Sequence, residues 1–237
     1  METATDRLPT LTELLTGPFR CRCGAEIAHW GACEPCAEAQ AKADHDRRMT
    51  WARESIPEGF RWASFGAPEL RELVSAEAVR RVRAIRAPLP RGVAIVGPSG
   101  AGKTTLACCV LRRITDATGP SSPSYMVDVA RGARFVSARA LEQAQQRLRA
   151  RADDKRALDL VAQAERASVL VIDNVEPARA DGIDSAVGRL VMDRHDARRL
   201  CTIITTWMPA DEASKTYGGG WVRRAYEQLV ELPEVVR

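Results

Sequence analysis

Lysine is nearly absent from this 237-residue chain. Lys42, Lys103, Lys155 and Lys215 are the only four, and the rest of the positive charge is arginine. A lysine inside a motif therefore stands out. Aromatic residues make up only 5% of the chain, and no aromatic-rich basic patch offers a stacking platform for single-stranded bases. No apolar run approaches the ~20 residues of a membrane span. The opening METATDRLPTLTELL lacks a basic region followed by an apolar core, so no secretory signal is expected. A cytoplasmic, reducing compartment and no membrane partner follow. There, cysteines serve as metal ligands or buried thiols rather than as disulfides. The net charge of +4 permits an acidic partner without requiring one.

What is present divides by cysteine. Of seven, four fall in CRCGAEIAHWGACEPC, residues 21–36, and Cys108, Cys109 and Cys201 lie far away in apolar contexts. A C-x-C pair and a C-x-x-C pair separated by a loop suit tetrahedral Zn²⁺. The expected ligands are Cys21, Cys23, Cys33 and Cys36, with His29 the alternative. Gly24 permits a tight turn after the first pair, and Ile27 and Trp30 supply the small core such a module needs. No thioredoxin-like βαβ pattern surrounds CEPC, which argues against a redox pair. The polar stretch AEAQAKADHDRRMTWARES reads as a helical connector, ended by Pro57. The expected division is a zinc-binding module with its connector over residues 1–50 and a nucleotide-binding core over 51–237. The length accommodates both.

In the second part helical patterns alternate with short apolar runs. GVAIVG, ARFVSA, SVLVID and LCTIITT are strand candidates of the kind buried on both faces. The alternation predicts an α/β fold with a parallel sheet flanked by helices. The stretch 118–132 is the most turn-rich.

GPSGAGKTT matches G-x-x-x-x-G-K-[ST], between an apolar strand and a helix, which is the context the motif requires. Glycines let the backbone curl so that successive N–H groups point at phosphate oxygens, and the helix N-terminus adds donors and a positive dipole end. Gly97, Pro98, Ser99, Gly100, Ala101, Gly102, Lys103, Thr104 and Thr105 are thus the expected nucleotide-binding residues. Lys103 would bridge the β- and γ-phosphates, and Thr104 would ligate Mg²⁺. Asp173 ends the strand VLVID and is the second expected Mg²⁺ ligand. No guanine-recognition signature follows the strands, which disfavours a GTPase.

Taken in order, these residues resemble the DnaC/DnaI/IstB branch of the AAA+ ATPases. IPEGFRWASFGAPEL looks like the linker ahead of the core. RGVAIVGPSGAGKTTLA looks like the Walker A region, and AERASVLVIDNV like the approach to Walker B. RLVMDRHDARRLCTIITTWMPADE looks like the stretch through sensor 1, and YGGGWVRRAYE like the tyrosine-glycine box. The similarity spans about residues 56–232, and a zinc module ahead of such a core looks like a replicative helicase loader. The resemblance implies ATP between neighbouring subunits of an open spiral or ring-like homo-oligomer. It implies an N-terminal module that grips a hexameric DnaB-type helicase and a core that contacts single-stranded DNA. Arg224 would be the arginine finger supplied in trans, with Arg223 the off-by-one alternative, and the core would lack a C-terminal helical lid. The helical stretch 139–156, with Arg147, Arg149, Arg151, Lys155 and Arg156, either lines a DNA path or is a solvated face. The competing readings are a transposition helper ATPase of the IstB type and an ATP-binding adaptor without turnover.

Two positions depart from the family pattern. Asn174 stands where an acidic residue usually follows Asp173, and Trp207 where an asparagine often follows the two threonines. An amide takes no proton from water at neutral pH, and general-base assistance contributes roughly 10²–10⁴-fold. Asn174 retains the ability to orient a water. Thr206 is the expected γ-phosphate contact, with Thr205 the alternative. Glu176 lies nearby, where a strand would not aim it the same way. ATP binding with slow hydrolysis is the expectation.

Overall fold

The short apolar runs become strands because alternate residues of each feed one of two cores. In β3 (Gly92–Val96), Val93 and Ile95 join one apolar cluster while Ala94 and Val96 join the other. β5 (Val169–Val175) divides likewise, with Val169 and Val171 on one side and Leu170 and Ile172 on the other. In β6 (Cys201–Thr206), Ile203 and Ile204 face opposite ways. A strand with both faces buried needs helices above and below it. The computed structural model describes residues 19–28, 31–85, 89–117, 132–177, 182–197 and 200–233. Of the turn-rich stretch, all but Gly132 lies outside them.

The chain forms two compact units, Met1–Asp46 and Arg47–Arg237. In the first, β1 (Phe19–Arg20) and β2 (Glu26–Ile27) pair antiparallel around a turn. Gly24 closes that turn at φ 93°, donating its N–H to the Cys21 carbonyl. The boundary between the units falls within α1 (Glu34–Ser55), a helix whose apolar residues form no continuous stripe.

In the second unit the sheet is five-stranded and wholly parallel. With β4 (Arg134–Ser137) and β7 (Gln228–Glu231), the order is β4-β5-β6-β3-β7. One face carries the end of α1, α2 (Glu69–Leu73), α3 (Ala76–Arg83) and α4 (Lys103–Asp116). The other carries α5 (Ala138–Ala150), α6 (Lys155–Arg166), α7 (Ala186–Asp196), α8 (Ala210–Tyr217) and α9 (Gly219–Ala225). The basic stretch is thus two helices. Asp154 begins the second by accepting the Ala157 N–H, and Arg147, Arg149, Arg151, Lys155 and Arg156 are all exposed. Among the described residues no helix is long and apolar enough to cross a membrane.

Among the described residues one charged side chain, Arg194, is fully buried. Arg194 donates to the carbonyls of Ala164, Glu165 and Ala167 at the end of α6, at 2.9, 3.2 and 2.7 Å, and to that of Cys201 at 2.6 Å. Its Nε donates to Thr202 at 2.9 Å. The guanidinium caps the carbonyl end of one helix and ties it to the start of β6. Buried acceptors that lose their donor each cost about 1–3 kcal/mol. Arg194→Met is therefore expected to destabilise the core by about 3 kcal/mol, read as a lower denaturation midpoint. An unchanged midpoint would refute this role.

Candidate nucleotide site and cysteine cluster

The phosphate loop joins β3 to α4 at the carboxyl end of the sheet. Gly102 adopts φ 82°, and a side chain there would bring its Cβ within 2.5 Å of Val74 Cγ2. Only glycine satisfies both demands, so the loop shape is written into that position. Residues 98–100 are exposed, while Ala101 and Thr105 are buried as anchors. Lys103 folds back over the loop. Its Nζ donates to the carbonyls of Gly97 and Pro98, both at 2.7 Å. Burial draws the ammonium below its ordinary pKa, and the charge of Asp173 opposes that shift.

Asp173 is where the site converges. Its Oδ1 accepts from Thr104 Oγ1 at 2.8 Å and from Thr205 Oγ1 at 2.6 Å. Two residues far apart in sequence, the expected Mg²⁺ ligands Thr104 and Asp173, are thereby in direct contact. A hydroxyl and a carboxylate at hydrogen-bond separation are hard oxygen donors of the type Mg²⁺ takes, with phosphate and water completing its shell. These residues fit the ion, which would neutralise charge on a bound triphosphate.

The two threonines ending β6 part company. Thr205 touches Asp173 and also accepts the Asn174 N–H at 2.8 Å. Thr206 is fully buried; its hydroxyl donates to the Val175 carbonyl at 2.6 Å and accepts the Met208 N–H at 3.0 Å. Trp207 follows at the same sheet edge, 43% exposed, beside a loop whose Gly97 N–H donates to the Thr206 carbonyl.

Arg224 is not brought to this loop. Its carbonyl lies against Gly92, where an added Cβ would meet it at 1.6 Å, so it stands at the start of β3, the opposite sheet edge. At about 3.3 Å per residue the strand separates the two edges by more than an arginine's reach. The guanidinium grips Asp196, Nε at 2.7 and 2.8 Å from its two oxygens and the terminal nitrogen at 2.7 Å, and also donates to the Gly220 carbonyl. The Arg224 fork, helped by His195, holds the Asp196 carboxyl down to about 2. Arg223 is exposed. The role of Asp196 was not legible in the sequence, because it depends on α7 and α9 meeting.

In the first unit, the four sulfurs of Cys21, Cys23, Cys33 and Cys36 all lie within 4.8 Å of one another. Cys23 and Cys33 stand 3.4 Å apart. Zn–S bonds of about 2.3 Å in a tetrahedron place sulfurs ~3.8 Å apart, so the cluster fits the ion. Backbone hydrogen bonds from Cys23 and Cys33 draw the Cys21 thiol down to about 6, while the neighbouring sulfurs push Cys36 up to about 12. Such crowding is what a divalent cation relieves. His29 and Trp30 lie outside the described residues.

The sequence matches no protein-family model, and it has no significant match among curated proteins. The fold does have relatives. It is similar to the crystal structure of DnaI, with a TM-score of 0.54 at 16% identity, covering 75% of this chain and 95% of that one. It is similar also to that of the DnaC helicase loader, with a TM-score of 0.52 at 19% identity, covering 75% and 100%. The second unit therefore has a five-stranded parallel sheet flanked by helices, a fold like that of DnaI and the DnaC helicase loader. At these identities the likeness is one of fold.

Proposed function

We propose that this protein is an ATP-binding helicase loader. It docks on a hexameric replicative helicase of the DnaB type in the cytoplasm, helps place it on single-stranded DNA, and hydrolyses ATP slowly. The observation that carries this reading is the contact of Thr104 with Asp173 beneath a lysine-bearing phosphate loop, in a fold shared with the DnaC helicase loader. Lys103 holds the phosphates, and Thr104 and Asp173 hold Mg²⁺. The separation of Arg224 from its own loop favours ATP shared between neighbouring copies, each completing the next one's site with Arg224. The cysteine module carries one zinc and supplies the helicase-docking surface. The exposed arginines of α5 and the start of α6 face the DNA phosphates.

The test is capture of purified replicative helicase by this protein, with ATP and with ADP. Capture that depends on the cysteine module is expected. No complex with either nucleotide overturns the loader reading and leaves the nucleotide site to an adaptor or a transposition helper.

A further inference from the structure

β5 and β6 pair in regular register from Val169↔Cys201 to Ile172↔Ile204 and resume at Val175↔Thr206. Three steps along β5 match two along β6, so β5 carries one extra residue there. The extra residue is Asn174, at φ 57°, the one non-glycine residue with positive φ among those described. Thr205 confronts both residues of the bulge, donating to the Asp173 carboxylate and accepting the Asn174 N–H.

A bulge changes which way the rest of the strand points. In an unbroken strand, Glu176, three residues after Asp173, faces the opposite side. The inserted residue shifts the alternation by one. Val175 takes the buried face beside Thr206, and Glu176 returns to the face of Asp173. The expectation from simple strand periodicity, that Glu176 is aimed away, is thus reversed by one left-handed residue. Two contacts hold the result. Asn174 Nδ2 donates to Glu176 Oε1 at 2.8 Å, and Tyr217 donates its hydroxyl to the Glu176 carbonyl at 2.7 Å. Asn174 Oδ1 and the second Glu176 oxygen then remain as acceptors on an exposed edge next to Asp173. Asparagine also suits the backbone, since it enters the left-handed region more readily than glutamate does.

We propose that Glu176 is the carboxylate that activates the attacking water, with Asn174 orienting both partners. This rests on the ATPase reading above. As the water oxygen bonds to the γ-phosphorus, its proton passes to Glu176. The bond from the γ-phosphorus to the bridging oxygen breaks, and ADP leaves with that electron pair. Asn174 and the bulge are one device: the amide fits the turn, and the turn delivers a carboxylate from two residues on.

ATP retention in Mg²⁺ and phosphate release are measured for wild type, Lys103→Ala, Glu176→Gln and Asn174→Glu. Glu176→Gln is expected to bind ATP within about twofold of wild type and to lose about 10²-fold or more in turnover. Asn174→Glu is expected to give no gain. If Glu176→Gln turns over like wild type while Lys103→Ala does not, Glu176 is not the base and the ATPase reading stands. A rise above tenfold in Asn174→Glu also overturns the proposal, because a base is then simply missing at 174. A wild type that binds ATP without turnover overturns the role of Glu176 alone. A wild type that does not bind ATP removes the nucleotide reading and this proposal with it.

Discussion

Lys103→Ala is expected to reduce ATP turnover by about 10²–10³-fold and to weaken ATP retention in the same preparation. The magnitude is that of removing one preorganised donor from a transition-state charge. The geometry makes the lysine hard to replace. Its ammonium sits 2.7 Å from both the Gly97 and Pro98 carbonyls, which fix it over the loop before any phosphate arrives. An ammonium has three donors, so one remains for the nucleotide. Partial burial strengthens whatever charge it meets, because less water competes. The other three lysines lie outside this loop in sequence. Phosphate release and nucleotide filter binding check the result. Wild-type turnover in the variant would refute the assignment of the loop.

Removing the metal is expected to have the largest effect on stability. Metal analysis should return about one zinc per chain, lost on replacing Cys33 and Cys36 together by serine. Chelation then withdraws on the order of 10 kcal/mol from the folding of the first unit. The described hairpin has two residue pairs, Phe19↔Ile27 and Arg20↔Glu26, and of the four cysteines only Cys21 is buried. Limited proteolysis after chelation should cut within residues 19–46 first. A doubly replaced protein that keeps its zinc would refute the ligand set, and an unchanged digestion pattern would refute the metal's structural role.

The parts of this molecule legible in its sequence are those set by local pattern. Apolar runs such as GVAIVG are buried on both faces, so their hydrophobicity alone marked them as central strands. The glycine at 102 announced a loop because only that residue fits the conformation. The two cysteine pairs declared their own proximity through short spacing. Three features were not legible, each for a reason of tertiary geometry. Thr205 and Thr206 are adjacent, chemically identical and both buried, and only the partner strand decides that the first meets Asp173 while the second meets the Val175 carbonyl. The Arg224–Asp196 fork needs two helices to converge. The bulge at Asn174 counts residues on β5 against β6, and a single strand's sequence holds no such count. The one local hint was the asparagine itself, a residue that tolerates a left-handed backbone.

β7 has a consequence of its own. It begins four residues after Arg224 and lies along β3 up to the register Val96↔Glu231. The next residue, Leu232, donates its N–H to the Val96 carbonyl at 2.7 Å, just below the phosphate loop. A hydrogen-bonded strand resists stretching, so it behaves as a stiff rod between the arginine at one edge and the loop at the other. The phosphate loop and the helix that carries Arg224 are thus joined through the paired backbones of β3 and β7.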